Sequence, residues 1–290
     1  MPAPGFAPAE RLRRRVVSDV RALFNDSARG ETPTPMSDNA LFPRGSVIWR
    51  VHGDVTTMMV GGISALLMQM LHPLALAGVW DHSRFRDDMI GRLRRTARFI
   101  AVTTYGDRDA AAVLVGNVRR AHDAVKGAQP DGTSYAASDP HLLAWVHVCE
   151  AVSFLDSWIR YGDPGMSRAD QDRYFAQSAV VARMLGADPV PETRAEAAAI
   201  FRSMRRELLV DARTREVCML ILKQRPDDAR GAMAQSVISD AAVALLPGWA
   251  RAMHGFRPSP FKAPLVHLGT LSMAQTLRWA FAGEYRQTAD

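Results

Sequence analysis

Cysteine is scarce: the 290 residues hold two, Cys149 and Cys218. Two thiols cannot build a disulfide framework or a zinc site made mainly of thiolates. Strand-like alternation bounded by hairpin turns is also missing, so a β-rich fold is not expected. No Gly-x-Gly-x-x-Gly follows a strand, and no glycine-rich loop ends in Gly-Lys-Ser/Thr. That removes the common nucleotide cradles. His-Glu-x-x-His, Glu-x-x-His and Gly-x-Ser-x-Gly are absent too, which excludes zincin proteases, di-iron carboxylate bundles and serine-elbow hydrolases. Neither sign of charge dominates. Thirty-six Lys and Arg stand against 30 Asp and Glu, for a net charge of +6. The basic residues are scattered among acidic ones, and only Arg11 to Arg15 and Arg92 to Arg95 cluster. With no aromatic-interleaved basic stretch and no binding motif, a nucleic-acid partner is not expected. No long apolar stretch follows the N-terminal arginines, so no secretory or twin-arginine signal is read, and a cytoplasmic location is expected.

What the chain has in quantity is apolar residues at helical spacing, within 48% hydrophobic and 23% charged residues overall. That balance suits a globular protein. An amphipathic helix fits Glu10 to Phe24, followed by a linker with Gly30, Pro33 and Pro35. A hydrophobic helix fits Asp54 to Met70, broken by Pro73. Its charge-free core, Val55 to Leu71, is close to the lower limit for a membrane span. It carries Thr56, Thr57, Gly61, Gly62, Ser64 and Gln69, so a buried core helix is expected; the basic flank before it allows peripheral membrane contact. Further helices are expected over Phe85 to Thr104, Arg108 to Lys126, Pro140 to Tyr161, a Ser167-capped stretch to Leu185, Glu192 to Leu209, Asp211 to Lys223, Ala232 to Leu246 and Leu265 to Ala282. Gln129 to Tyr135 reads as a polar loop. The expected fold is all-α, a multi-helix globular domain of globin-like or bundle-like type. Residues 1–36 form an N-terminal helix and linker, and residues 37–290 form one helical domain.

The histidines are the main chemical candidates. His122 follows Val115 and Val118 and precedes Val125, on one apolar face of a helix. Burial there would favour the neutral imidazole that a transition metal or haem iron needs. The same spacing also fits a core histidine bonded to a carbonyl, and His147, among Leu143, Ala144, Trp145 and Val146, has the same two readings. His72 marks the break before Pro73, and His82 precedes Ser83 in a turn. Arg92 and Thr96 are four apart and share a helix face. A cation beside a hydroxyl suits a carboxylate or a polarised oxygen. A solvated basic face, with Arg94, Arg95 and Arg98 nearby, is the alternative.

The ordered set of local motifs resembles one family. Leu67 to Pro73 is followed by Gly78 to Phe85, then by Arg92 to Thr96 and by Val118 to Gly127. Trp145 to His147 and the helix end at Tyr161 and Gly162 complete the series. This order resembles the oxygenases that include the latex-clearing rubber oxygenases and the MpaB-type enzyme of mycophenolate biosynthesis, over about residues 40 to 250.

The resemblance implies a haem b enzyme that uses dioxygen. His122 falls where the family's proximal ligand lies. Arg92 and Thr96 fall on its distal pair, and Arg95 falls where rubber oxygenases can carry a lysine near the iron. Arginine stays protonated and is a poor iron ligand, so a closed lysine-ligated resting form is not expected. Rubber oxygenases also use a glutamate as a base, for which Glu150 is the candidate here. The expected substrate is a small hydrophobic molecule, isoprenoid or olefinic. Two rival readings stand beside this one. In the first, His72, His82, His122 and His147 converge on a non-haem iron or another metal. In the second, the chain is a non-catalytic helical ligand-binding protein whose histidines only pack.

Overall fold

A computed structural model describes residues 8–25, 30–224, 229–257 and 259–282. Among them the chain is almost wholly helical. The helices are α1 (Pro8–Phe24), α2 (Val47–His52), α3 (Val55–Gln69), α4 (Pro73–His82), α5 (Met89–Tyr105), α6 (Arg108–Ala124), α7 (Pro140–Tyr161), α8 (Arg168–Leu185), α9 (Arg194–Met204), α10 (Ala212–Leu222), α11 (Ala229–Leu245), α12 (Gly248–His254) and α13 (Lys262–Ala280). Between α6 and α7 lies a two-stranded antiparallel sheet of β1 (Lys126–Ala128) and β2 (Ser134–Ala136).

Local chemistry sets most of the boundaries. Asp54 caps α3 by accepting from Thr57 N–H, Asp139 caps α7, and Ser167 caps α8. Each satisfies a backbone donor that a helix start leaves open. Gly186 closes α8 at φ 97°, a conformation that suits glycine. Asp88 accepts from Gly91 N–H and starts α5 at Met89, later than the expected Phe85.

Three elements depart from the sequence reading. The sheet replaces what reads as the end of a helix and a polar loop. Helices α2 and α12, of six and seven residues, are too short to show a helical period. Tertiary contact holds α2: Val47, Ile48, Trp49 and Val51 are buried, and Ile48 N–H donates to Gln177 of α8.

The core is built on α3 against α7. Ten of the fifteen residues of α3 and twelve of the twenty-two of α7 are buried, as expected for Val55 to Leu71. The backbones approach closely at Gly61. A Cβ there would lie 2.8 Å from Phe154 Cδ1 and 2.9 Å from the Ser153 carbonyl oxygen. By length and composition α7 is the one described helix that could cross a membrane unaided, and 61% of its most apolar stretch is buried in the protein. Helix α4 leaves α3 at a bend of 103°. Pro73 takes the first turn of α4, where its missing N–H costs no bond, and the His72 side chain caps it. Helices α5 and α6 pack on each other, α6 also rests on α8, and α1 lies across α5 and α13.

Candidate functional site

Helix α5 begins at the Asp88 cap, and its first turns carry Arg92, Arg95 and Thr96 in three different settings. Arg92 turns inward. Its Nη1 donates to the Ser83 hydroxyl at 2.8 Å, at the C-terminal end of α4. Burial, and then the neighbouring Arg95 charge, lower its pKa. No carboxylate pairs with it among the described residues. Thr96 is exposed, and its hydroxyl donates back to the Arg92 carbonyl at 3.2 Å. Arg95 is exposed as well and pairs with Asp88 at 3.1 Å. Arg94 donates to the carbonyls of Ala22 and Leu23, and so caps the end of α1. The basic face is therefore divided. One arginine is half-buried against a neutral hydroxyl, one ties down the N-terminal helix, and one serves the start of its own helix.

His122 lies in the last turn of α6 and is half-buried. Its Nδ1 is buried and has no hydrogen-bond partner. Burial lowers its pKa, against a weaker pull from Asp123, so the neutral imidazole is favoured at neutral pH. His147 of α7 matches it. Its Nε2 is buried without a partner, and burial, helped by the Arg183 charge, lowers its pKa to about 4. Helices α6 and α7 both pack on α8. Arg183, beside His147, is in its last turn, and Arg119, one turn before His122, donates to the Met184 carbonyl. A core histidine normally finds a partner, and neither of these ring nitrogens has one.

One turn further along α7, Glu150 accepts from the Gln69 amide at 3.3 Å. It lies deep between α3 and α8 while keeping some accessible surface. Burial raises its pKa to about 7, against the opposing Gln69 bond. Such a carboxyl exchanges its proton near neutrality, as a general base or acid must.

The remaining expected ligands lie elsewhere. His82 is exposed, and its Nε2 is 3.2 Å from the Tyr135 hydroxyl, which donates to Asp81 at 2.5 Å. This joins the end of α4 to β2. His72 is 2% exposed. Its Nδ1 accepts from Leu74 N–H, and its Nε2 lies 3.3 Å from Glu207 Oε2. His141, for which the sequence offered no role, lies 2.9 Å from the same oxygen. The expected convergence of His72, His82, His122 and His147 is thus not found. Among the described residues, the group of three or more ligand side chains that does form is His72, His141 and Glu207, with donor atoms within 4.8 Å of one another. The α3–α4 bend carries His72 toward the start of α7, away from the α4–β2 junction that holds His82.

Two more histidines gain partners only in the fold. His52 bridges the Thr104 and Tyr174 hydroxyls at 2.9 and 3.0 Å, and burial lowers its pKa to about 3. His254 Nε2 bonds the Leu67 carbonyl at 2.9 Å. Asp139 before Pro140 places His141 at a helix start, but no pattern in the sequence points to Glu207.

A family model described as the catalytic domain of ER-bound oxygenase mpaB/B' and rubber oxygenase matches residues 49–279. The chain belongs to this family. No curated protein and no solved structure matches it. The match covers nearly the whole helical core, including Arg92, Thr96, His122, His147 and Glu150. This member of the mpaB/rubber oxygenase family is therefore a predominantly helical, oxygenase-type catalytic domain, and dioxygen with an oxidisable substrate is what such a domain works on.

Proposed function

We propose that the chain is a haem-dependent oxygenase acting on a small hydrophobic substrate, isoprenoid or olefinic, with dioxygen. The observation that carries this reading is His122, a neutral imidazole whose buried Nδ1 has no partner. A polar atom buried without a bond is unfavourable, and iron binds the neutral imidazole. A second observation supports it. Arg92 is half-buried, and its guanidinium bonds the neutral Ser83 hydroxyl, a setting that favours a bound anion such as a haem propionate. The chemistry of these two side chains supports the haem reading.

In this reading His122 would hold the iron, and haem, when bound, would supply the oxygen chemistry. The chain supplies charge, proton transfer and exclusion of water. Arg92 would offer a fixed positive charge to a haem propionate or to negative charge developing on the substrate or dioxygen. Ser83 fixes the guanidinium in place. Thr96, once released from its bond to the Arg92 carbonyl, offers a hydroxyl on the same helix face. Glu150 exchanges a proton near neutral pH. Arg95, paired with Asp88, tunes the field at Arg92 and does not ligate iron.

The test is the visible spectrum of the chain expressed with a haem precursor. One Soret-absorbing haem per chain is expected. His122→Ala should abolish or shift the band. Arg92→Gln should keep haem and lower oxygen-dependent turnover by about tenfold or more. His147→Ala is the control, and loss of haem there with retention in His122→Ala would move the ligand to α7. Failure of haem to bind or to raise the melting temperature on titration would overturn the reading.

A further inference from the structure

We infer that His72, His141 and Glu207 form a binding site for one divalent transition cation of the zinc or iron(II) class, separate from His122. Three segments far apart in sequence deliver the donors. His72 is fixed at the α3–α4 bend, His141 stands in the first turn of α7, and Glu207 lies in a short 3-10 turn after α9. Leu209 N–H donates to the Leu71 carbonyl at 2.8 Å and ties the Glu207 segment to the neighbour of His72. Both imidazoles present Nε2 to one oxygen, Oε2 of Glu207, at 3.3 and 2.9 Å. Tetrahedral coordination with bonds of about 2.0–2.1 Å sets neighbouring donors about 3.3 Å apart. The two imidazole–carboxylate distances already stand near that spacing, and all three donors lie within 4.8 Å of one another.

The chemistry of the set selects the cation. Two imidazoles and one carboxylate suit zinc and iron(II), whereas calcium and magnesium take oxygen donors. The Asp139 carboxylate, close enough to act on His72, adds negative charge. Exposure gives an entry path: the His72 side chain is 2% exposed, while those of Glu207 and His141 are 37% and 45% exposed. Water can complete the coordination from that side. Loading has one local consequence. His72 Nδ1 now accepts from Leu74 N–H at 3.3 Å, so ligation through Nε2 moves the ring proton to Nδ1 and gives up this cap. Micromolar affinity is therefore expected.

The experiment uses the untagged full chain, cobalt(II) as an optical probe, and zinc and anaerobic iron(II) as competitors in equilibrium dialysis. One cobalt per chain is expected, with visible d–d bands that zinc or iron(II) displaces. His141→Ala and Glu207→Gln change exposed side chains and should each weaken retention at least tenfold without loss of fold by circular dichroism. His122→Ala should leave cobalt retention unchanged. No cobalt bound at micromolar concentration would reduce the triad to a hydrogen-bonded clasp and overturn the inference, as would unchanged retention in His141→Ala or loss in His122→Ala. The site does not depend on the haem reading: cobalt bound at His141 in a chain with no Soret band sustains it.

Discussion

The α3–α7 pair and the α5–α6 pair are built from helices of similar length put to different uses. In the first, ten of fifteen and twelve of twenty-two residues are buried. In the second, three of seventeen and two of seventeen are. The first pair closes to backbone contact at Gly61. The second holds the half-buried Arg92 and His122, whose Nδ1 has no partner. The densely packed pair also carries His147 and Glu150 on α7, while Arg92 and His122 stand on the sparsely buried pair. Dense packing fixes the frame, and in the sparsely buried pair His122 Nδ1 is left without a partner, as expected where a ligand completes the structure.

The comparison breaks most visibly in the core. Trp145 is fully buried, and its indole N–H donates to the Gln69 carbonyl at 3.1 Å. Trp145→Ala should destabilise the fold by about 3–5 kcal/mol, read as a lowered urea midpoint. A change no larger than that of a surface substitution would show that α3–α7 is not the frame.

Next in size is Glu150. Its folded pKa is raised to about 7 from 4.5, so the folded state binds this proton more tightly than the unfolded chain does. Stability from this group is highest below pH 4.5, falls as pH rises to 7, and is lowest above. Glu150→Gln should therefore stabilise the protein at pH 8 by on the order of 2–3 kcal/mol and change little at pH 4. Equal melting temperatures at pH 8 would place the carboxyl in water. His52 and His147 act in the other direction. Their lowered pKa values, about 3 and about 4, mean that the stability they contribute is full above pH 6.5 and is lost as pH falls toward 4. Acid unfolding of the Gln variant should be steeper than wild type from pH 7 to 4.5, because Glu150 no longer offsets the histidines.

A smaller effect is expected at Asp54, which is 3% exposed and pairs with Arg278 at 2.6 Å. Asp54→Asn keeps a competent cap for α3 and removes the charge. Arg278 is one-third exposed and still bonds the Tyr161 carbonyl at 2.8 Å. The loss should be about 1–2 kcal/mol, below that of a fully buried pair, and a double-mutant cycle with Arg278→Gln isolates it. Smallest in stability is His122→Ala, within about 1 kcal/mol by urea titration of the haem-free chain. Its large effect is expected in the haem spectrum alone. A large loss of stability in the haem-free chain would make His122 a packing residue and erase the contrast between the two pairs.

The sequence determined the helical class and most helix limits, because capping and period act over a few residues. Asp54, Ser167, Asp139 with Pro140, and Gly186 do what their local chemistry predicts. It also carried the family, through short motifs in order along the chain. Only the tertiary structure decided which polar groups are satisfied. Arg92, Arg94 and Arg95 are nearly alike in sequence. They part because one faces Ser83, one the end of α1 and one Asp88. His52, His141 and His254 looked ordinary until the fold supplied Tyr174, Glu207 and the Leu67 carbonyl, 122, 66 and 187 residues away. The pKa of Glu150 likewise depends on what α3 and α8 bring around it. A helix period registers only neighbours three and four residues off. Desolvation and hydrogen bonding depend on whatever is near in space, and that is set by packing between helices distant in the chain.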